Sequence, residues 1–150
     1  MLYLLLNAGA DTYALATTGV VAVVPLTALK AAPGAGAAVL GILNFHGQPV
    51  PVVDCGVLLA NRPSALQYST RIILHRVELG GCERLLGLVG EDVTRVKAFA
   101  DSEFVEPGAR AAEFPCVGRV AAYDGRWIQR LHPDSILTAE IWETLITQDA

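Results

Sequence analysis

The sequence is short of the side chains that most chemistry needs. It has three cysteines, Cys55, Cys82 and Cys116, far apart and without Cys-x-x-Cys spacing. That odd number and spacing fit small buried thiols in a reducing compartment. Its three histidines, His46, His75 and His132, are isolated, and none lies at His-x-x-x-His spacing, so no metal site is expected. Charged residues make up only 17%, and the net charge is -4. Without a basic excess, neither nucleic acid nor an anionic membrane surface is an expected partner. No apolar run approaches the roughly 18 residues needed to cross a bilayer. Met1–Leu6 is apolar but short and lacks a basic flank, so no secretory leader is expected. The expected compartment is the cytoplasm.

Catalytic and cofactor motifs are missing too. There is no phosphate loop of the Gly-x-x-x-x-Gly-Lys kind and no Gly-x-Ser-x-Gly elbow. Gly34 and Gly36, with Asp54 further on, invite a dinucleotide reading, but Val39 stands where the third glycine belongs. No helix can follow through Gly41, Asn44 and Gly47, so the fingerprint fails. Glu91 and Asp92 are adjacent, and side by side in a strand they point to opposite faces, which is not an acid/base pair. Trp127 between Arg126 and Arg130 reads as a core or rim aromatic in an acidic chain. No cofactor and no turnover are expected.

What is present is apolar and punctuated. The 150 residues are 53% hydrophobic, enough for one domain with a sizeable core. The organising stretch is Gly41 to Asp54. Two apolar runs, Ile42–Phe45 and Val50–Val53, flank a tight polar break, which predicts a strand, a turn and a strand. Gly41 and Gly47 sit where a Cβ would crowd a neighbour or block a positive φ. Pro49 and Pro51 lack an N–H, so one side of their strand must be an edge or a bulge. Asp54 ends the strand and can cap the turn that follows.

Further runs follow the same pattern. Leu2–Leu6 with Thr12–Ala16 predicts a first hairpin, and Val20–Val24 a third strand stopped by Pro25. Leu26–Leu40 reads as a softer linker, Cys55–Leu59 as a short turn of helix, and Asn61–Ser64 as a polar connection. Arg71–Leu79, Arg84–Val89 and Val93–Phe99 read as three strands, and Ala100–Pro115 as loop. Val117–Tyr123 and Arg126–Leu131 are joined by Asp124-Gly125, a preferred two-residue turn. Roughly ten short strands with turns every 8–12 residues predict an all-β barrel or sandwich. Near the end, Pro133 suits the first turn of a helix. Ile141, Trp142, Leu145 and Ile146 then fall at helical spacing, predicting an amphipathic helix that covers apolar surface, by sealing a barrel end or by docking a partner.

The central stretch also carries a family likeness. Gly-Ile-Leu-Asn-Phe-His-Gly, leading to Pro-Val-Val-Asp54, resembles the signature of CheW-like domains. There Gly-Val-Ile-Asn-Leu-Arg-Gly leads to Pro-Val-Val-Asp-Leu. The likeness extends from about Leu2 to Leu137. Val20–Val24, Pro33, Ile72–Leu74, Gly87-Leu-Val89, Val93–Val96 and Trp127–Leu137 resemble family segments in order. It implies two small five-stranded SH3-like barrels packed side by side in a single domain, 1–150. Lobe one would come mainly from about 15–70 and lobe two from about 71–125.

It also implies a non-enzymatic signalling adaptor, coupling the cytoplasmic tip of a methyl-accepting chemoreceptor to the regulatory domain of a CheA-like histidine kinase. The implied receptor groove contains Val20, Ala22, Asn44, His46 and Val96, with Gly41 as a backbone-packing glycine beside it. Four features depart from the family pattern. Ala22 stands for a usual Glu, His46 for a usual Arg, and Cys55-Gly56 for Leu-Arg. The acidic residue after Gly-Leu-Val-Val is displaced to Glu91. Loss of two charged groove residues removes charge-assisted contacts of about 1.5–3 kcal/mol each. That points to a divergent member, of the kind used in surface-sensing or twitching-type systems. Two other readings stand beside it: a β-barrel holding a small apolar ligand, and an enzyme built on Cys55 or His46.

Overall fold

In a computed structural model, residues 1–107, 116–137 and 141–142 are described. The chain is mostly β. Its strands are β1 (Leu2–Ala8), β2 (Asp11–Ala16), β3 (Val20–Pro25), β4 (Val39–Phe45), β5 (Gln48–Asp54), β6 (Arg71–Leu79), β7 (Cys82–Ala98), β8 (Val117–Tyr123) and β9 (Arg126–Leu131). One short helix, α1 (Cys55–Ala60), follows β5. Single 3-10 turns cover Thr17–Gly19, Asp101–Glu103 and Pro133–Ser135.

The strands form two groups that share β7. Its first half pairs antiparallel with β6 and, over Gly87–Val89, parallel with β5. β6 carries β3, and β5 carries β4. The second half of β7 pairs with β1, which continues to β2, β9 and β8. The path is open, with β3 at one end and β8 at the other. The expected barrels are therefore met only as groups of strands, not as closed rings of hydrogen bonds. Pro25, which lacks an N–H, ends β3 before it can pair along β4. What remains is one bridge, Lys30 to Ile42, with another from Val105 to Val120 on the far side.

One expectation is corrected. Arg84–Val89 and Val93–Phe99 are parts of one strand, not two. β1 advances two residues, Leu5 to Asn7, while β7 advances four, Glu91 to Arg95. The surplus is taken up in a bulge where Asp92 has φ of 51°. A bulge bends a strand without ending it, so β7 turns from one group into the other.

The core explains why some strands read as unbroken apolar runs. Alternate residues of β1 go to different places: Leu4 and Leu6 into a central core, Tyr3 and Leu5 into one inside the second group. β6 does likewise, with Ile73 and Val77 central and Ile72 and Leu74 in a core inside the first group. Both faces are covered over Tyr3–Leu6 and Ile72–His75, so these runs do not alternate between a buried and an exposed face. The predicted C-terminal helix falls largely outside the described residues. Of its apolar positions, Ile141 and Trp142 are described, are helical, and pack on the central core.

Candidate functional site: the central hairpin and the surface around it

β4 and β5 meet at His46-Gly47, with Phe45 opposite Gln48. Both turn residues have positive φ, 51° and 83°, as a type I′ turn requires. Asn44 Oδ1 accepts the Gly47 N–H at 2.8 Å and closes the turn. His46 is exposed, its ring centroid 4.4 Å from that of Phe45 in an edge-on arrangement. Behind the turn, Lys30 and Ile42 exchange backbone hydrogen bonds of 2.9 and 2.8 Å. Gly41 permits this approach, since a Cβ there would lie 2.4 Å from the Lys30 carbonyl oxygen. Pro49 and Pro51 fall before the β7 ladder begins at Val52. They therefore lie where β5 pairs β4 alone.

Asp54 fastens the far end of the hairpin. It is 3% exposed. Oδ1 accepts from Gly56 N at 2.9 Å, capping α1, and from Ser64 Oγ at 2.6 Å, while Oδ2 accepts from Ser64 N at 3.0 Å. Three donors on one carboxylate fix the loop that leads to β6.

The other groove candidates lie on other strands. Val20 and Ala22 point to the partly buried face of β3, Val20 opposite His75 and Ala22 opposite Leu74. Val96 is 57% exposed on the second half of β7, opposite Leu4. Asn44 and His46 thus share one turn, and Val20 and Ala22 share one strand face. Among the described residues, no hydrogen bond or ladder pair joins these two sets, or either of them to Val96.

Some exposed apolar groups carry no signal in the sequence. Val21 and Val23 stand on the outer face of β3, at 40% and 38% exposure. Leu66 and Tyr68 are almost fully exposed. The loop that carries them is pinned by Ala65 N to Glu91 Oε2 and Val93 N to Ser69 O, both at 2.8 Å. With Pro25, Leu26 and Thr70 they border a groove of about 410 Å³. A larger surface cleft, about 620 Å³, lies beside exposed Trp127 and is lined by Asn7, Asp11, Arg95 and Arg126. Trp127 is a rim residue.

The chemistry that a Cys55 nucleophile would need is opposed here. Cys55 is fully buried. Burial first, and the Asp54 charge second, push its thiol up, away from the thiolate a nucleophile requires. Burial also raises Cys116. Glu91 holds Ala65 while Asp92 meets Arg95 at 3.3 Å, so the adjacent acids serve different partners. Among the described residues, no three of His, Cys, Asp and Glu converge as metal ligands. None of the described helices is long and apolar enough to cross a membrane.

A family model described as "CheW-like domain" matches residues 2–140. The chain belongs to the CheW-like domain family. The structure is similar to a crystal structure of the scaffolding protein TtCheW from Thermoanaerobacter tengcongensis. The TM-score is 0.73 and the identity 22%, covering 87% of this chain and 82% of that one. No curated relative matches the sequence. CheW-like proteins are adaptors and scaffolds of chemotaxis-type signalling. In this CheW-like chain the match spans both strand groups and the bent β7 that joins them.

Proposed function

We propose that this chain is a non-enzymatic, cytoplasmic adaptor. It couples the cytoplasmic tip of a methyl-accepting receptor to the regulatory domain of a CheA-like histidine kinase. The observation that carries this reading is the family match over 2–140, which takes in the whole two-group platform. Each group of strands acts as one SH3-like lobe, and the C-terminal segment, through Ile141 and Trp142, is an amphipathic helix against the central core. Lobe one was expected at about 15–70; the ladders support placing the border inside β7 instead, since β6 pairs β3.

The receptor side of this proposal is Val20, Ala22, Asn44, His46 and Val96, with Gly41, Gly47 and Asp54 holding the hairpin in shape. Apolar walls bury a helix face, and a few polar groups set its register. With Ala22 and His46 in place of charged residues, the groove suits a receptor tip with fewer complementary charges, as in a surface-sensing or twitching-type system. The adaptor acts by proximity, raising the effective concentration of receptor and kinase for one another.

Titration calorimetry against the kinase regulatory domain encoded nearby tests the reading. Binding with a dissociation constant in the range of about 0.1–10 µM is expected. A folded chain that forms no complex at tens of micromolar sinks it. The apolar-ligand alternative has less support, because three side-chain cores fill the interior and the larger cleft is polar-lined.

A further inference from the structure

His75 is a buried polar side chain that the adaptor reading leaves unused. It is 8% exposed, on β6. Gly19 lies directly over its ring: a Cβ on Gly19 would be 2.2 Å from His75 Cε1 and 2.5 Å from Nε2. Nδ1 is 2.5 Å from the Arg76 carbonyl oxygen, and the ring also meets the backbone of Ala16. Val20, the next residue after Gly19, is the ladder partner of His75. Arg76 Nη2 donates to the Thr18 carbonyl at 3.0 Å, and the Glu78 N–H donates to Asp134 Oδ1 at 3.0 Å. Three residues of β6, His75, Arg76 and Glu78, thus hold two connectors, the turn from β2 to β3 and the turn that follows β9.

We propose that His75 is a proton-sensitive prop beneath the start of β3. As a neutral ring it fits under Gly19 and sets the position of Val20; when it takes up a proton, Gly19 and Val20 leave that arrangement.

A charged imidazole in this site has lost its water, and burial outweighs the attraction of Asp134 and the two backbone contacts. The charged groups facing the ring are Asp134 from the turn after β9 and Arg76 from its own strand. Among the described residues, Thr17–Gly19 and Val20 bring no charge, and Leu86 opposite on β7 is apolar. The strain is relieved where the fold yields most easily. β6 is held on both sides, by β3 and β7. The turn Thr17–Gly19 has no side-chain cap, and the β3 ladder slips just after Val20. The turn and the first residue of β3 therefore move, and β6 stays. The consequence for receptor docking rests on the adaptor reading, since Val20 belongs to the proposed groove; the movement itself does not.

The test is an NMR titration of the full chain without a partner, from pH 8 to pH 5. The His75 ring should titrate with a midpoint below 6.5, and the amides of Gly19 and Val20 should shift with the same midpoint. H75Q should remove that transition from the two amides, while H132Q should keep it. The wild-type titration needs no variant to fold. Amides of Gly19 and Val20 that stay silent while His75 titrates would overturn the proposal, as would a transition that survives in H75Q. Failure of the adaptor reading shows separately, as absence of a kinase complex at any pH.

Discussion

At the scale of single residues, the fold depends on atoms with no spare room. Asp54 accepts three hydrogen bonds in a site 3% exposed. Asp54→Ala strands two N–H groups and a hydroxyl and removes the cap of α1. At roughly 1–3 kcal/mol for a buried unsatisfied group, partly relieved by water, the expected loss is about 2–4 kcal/mol. Urea unfolding measures it; a loss under about 1 kcal/mol would mean that water replaces the carboxylate in full. Gly41→Ala places a methyl 2.4 Å from the Lys30 carbonyl oxygen, at a residue with φ of 155°. Backbone is on the other side of the clash, so relief requires parting the Lys30–Ile42 bridge. The expected cost is about 1–3 kcal/mol, with faster amide exchange at Lys30 and Ile42 as the local readout. Both positions were legible in the sequence, because aspartate after a strand and glycine inside one have few physical uses. His75 was not. A lone histidine in an alternating strand looks like any packed side chain until Gly19, far away in sequence, is seen lying on it.

At the scale of elements, the turns were the most legible parts. Asp124-Gly125 closes β8 onto β9 with φ of 51° and 75°. That is the backbone a two-residue hairpin demands, and few residue pairs supply it. Gly125→Val puts a β-branched residue at positive φ and should cost about 1–3 kcal/mol. Nothing lies near the missing Cβ, so the effect is conformational and Gly125→Asn should recover most of it. Equal losses for Val and Asn would point to a different cause. β7 was the hardest element to see. Gly90, Glu91 and Asp92 have the composition of a turn, and local reasoning splits the strand there. The fold keeps it whole because β1 crosses the break, pairing on both sides of the bulge. Gly90 then has a separate purpose: a Cβ would lie 2.6 Å from Leu6 Cδ1. Long-range pairing of this kind leaves no local mark. Nor does the sequence show why the groove candidates fall on three separate elements.

At the scale of the whole molecule, the central core ties the two groups together. Leu6 and Leu15 come from the second group, Ile73 and Leu86 from the first, and all are fully buried in one cluster with Leu88. Leu88→Ala should cost about 2–5 kcal/mol. Because the cavity opens between the groups, the chain should still melt in one transition, and two resolved transitions would show that the groups fold apart.

Proton uptake should read out the same coupling. His75 and His132 are both held below the ordinary 6.5. For each, burial is the first cause; Arg130 adds to it at His132. When the folded value lies below the unfolded one, the unfolded chain binds more protons between them. The stabilising preference for neutral rings is thus fully present above 6.5. It is lost as pH falls from 6.5 through the lowered folded values. Urea midpoints at pH 7.5, 6.5 and 5.5 should therefore hold steady across the first step and drop across the second. The H75Q/H132Q pair should flatten the drop, each substitution removing part of it. A wild-type midpoint unchanged to pH 5.5 would mean that the His75 ring is not buried in the folded chain as described.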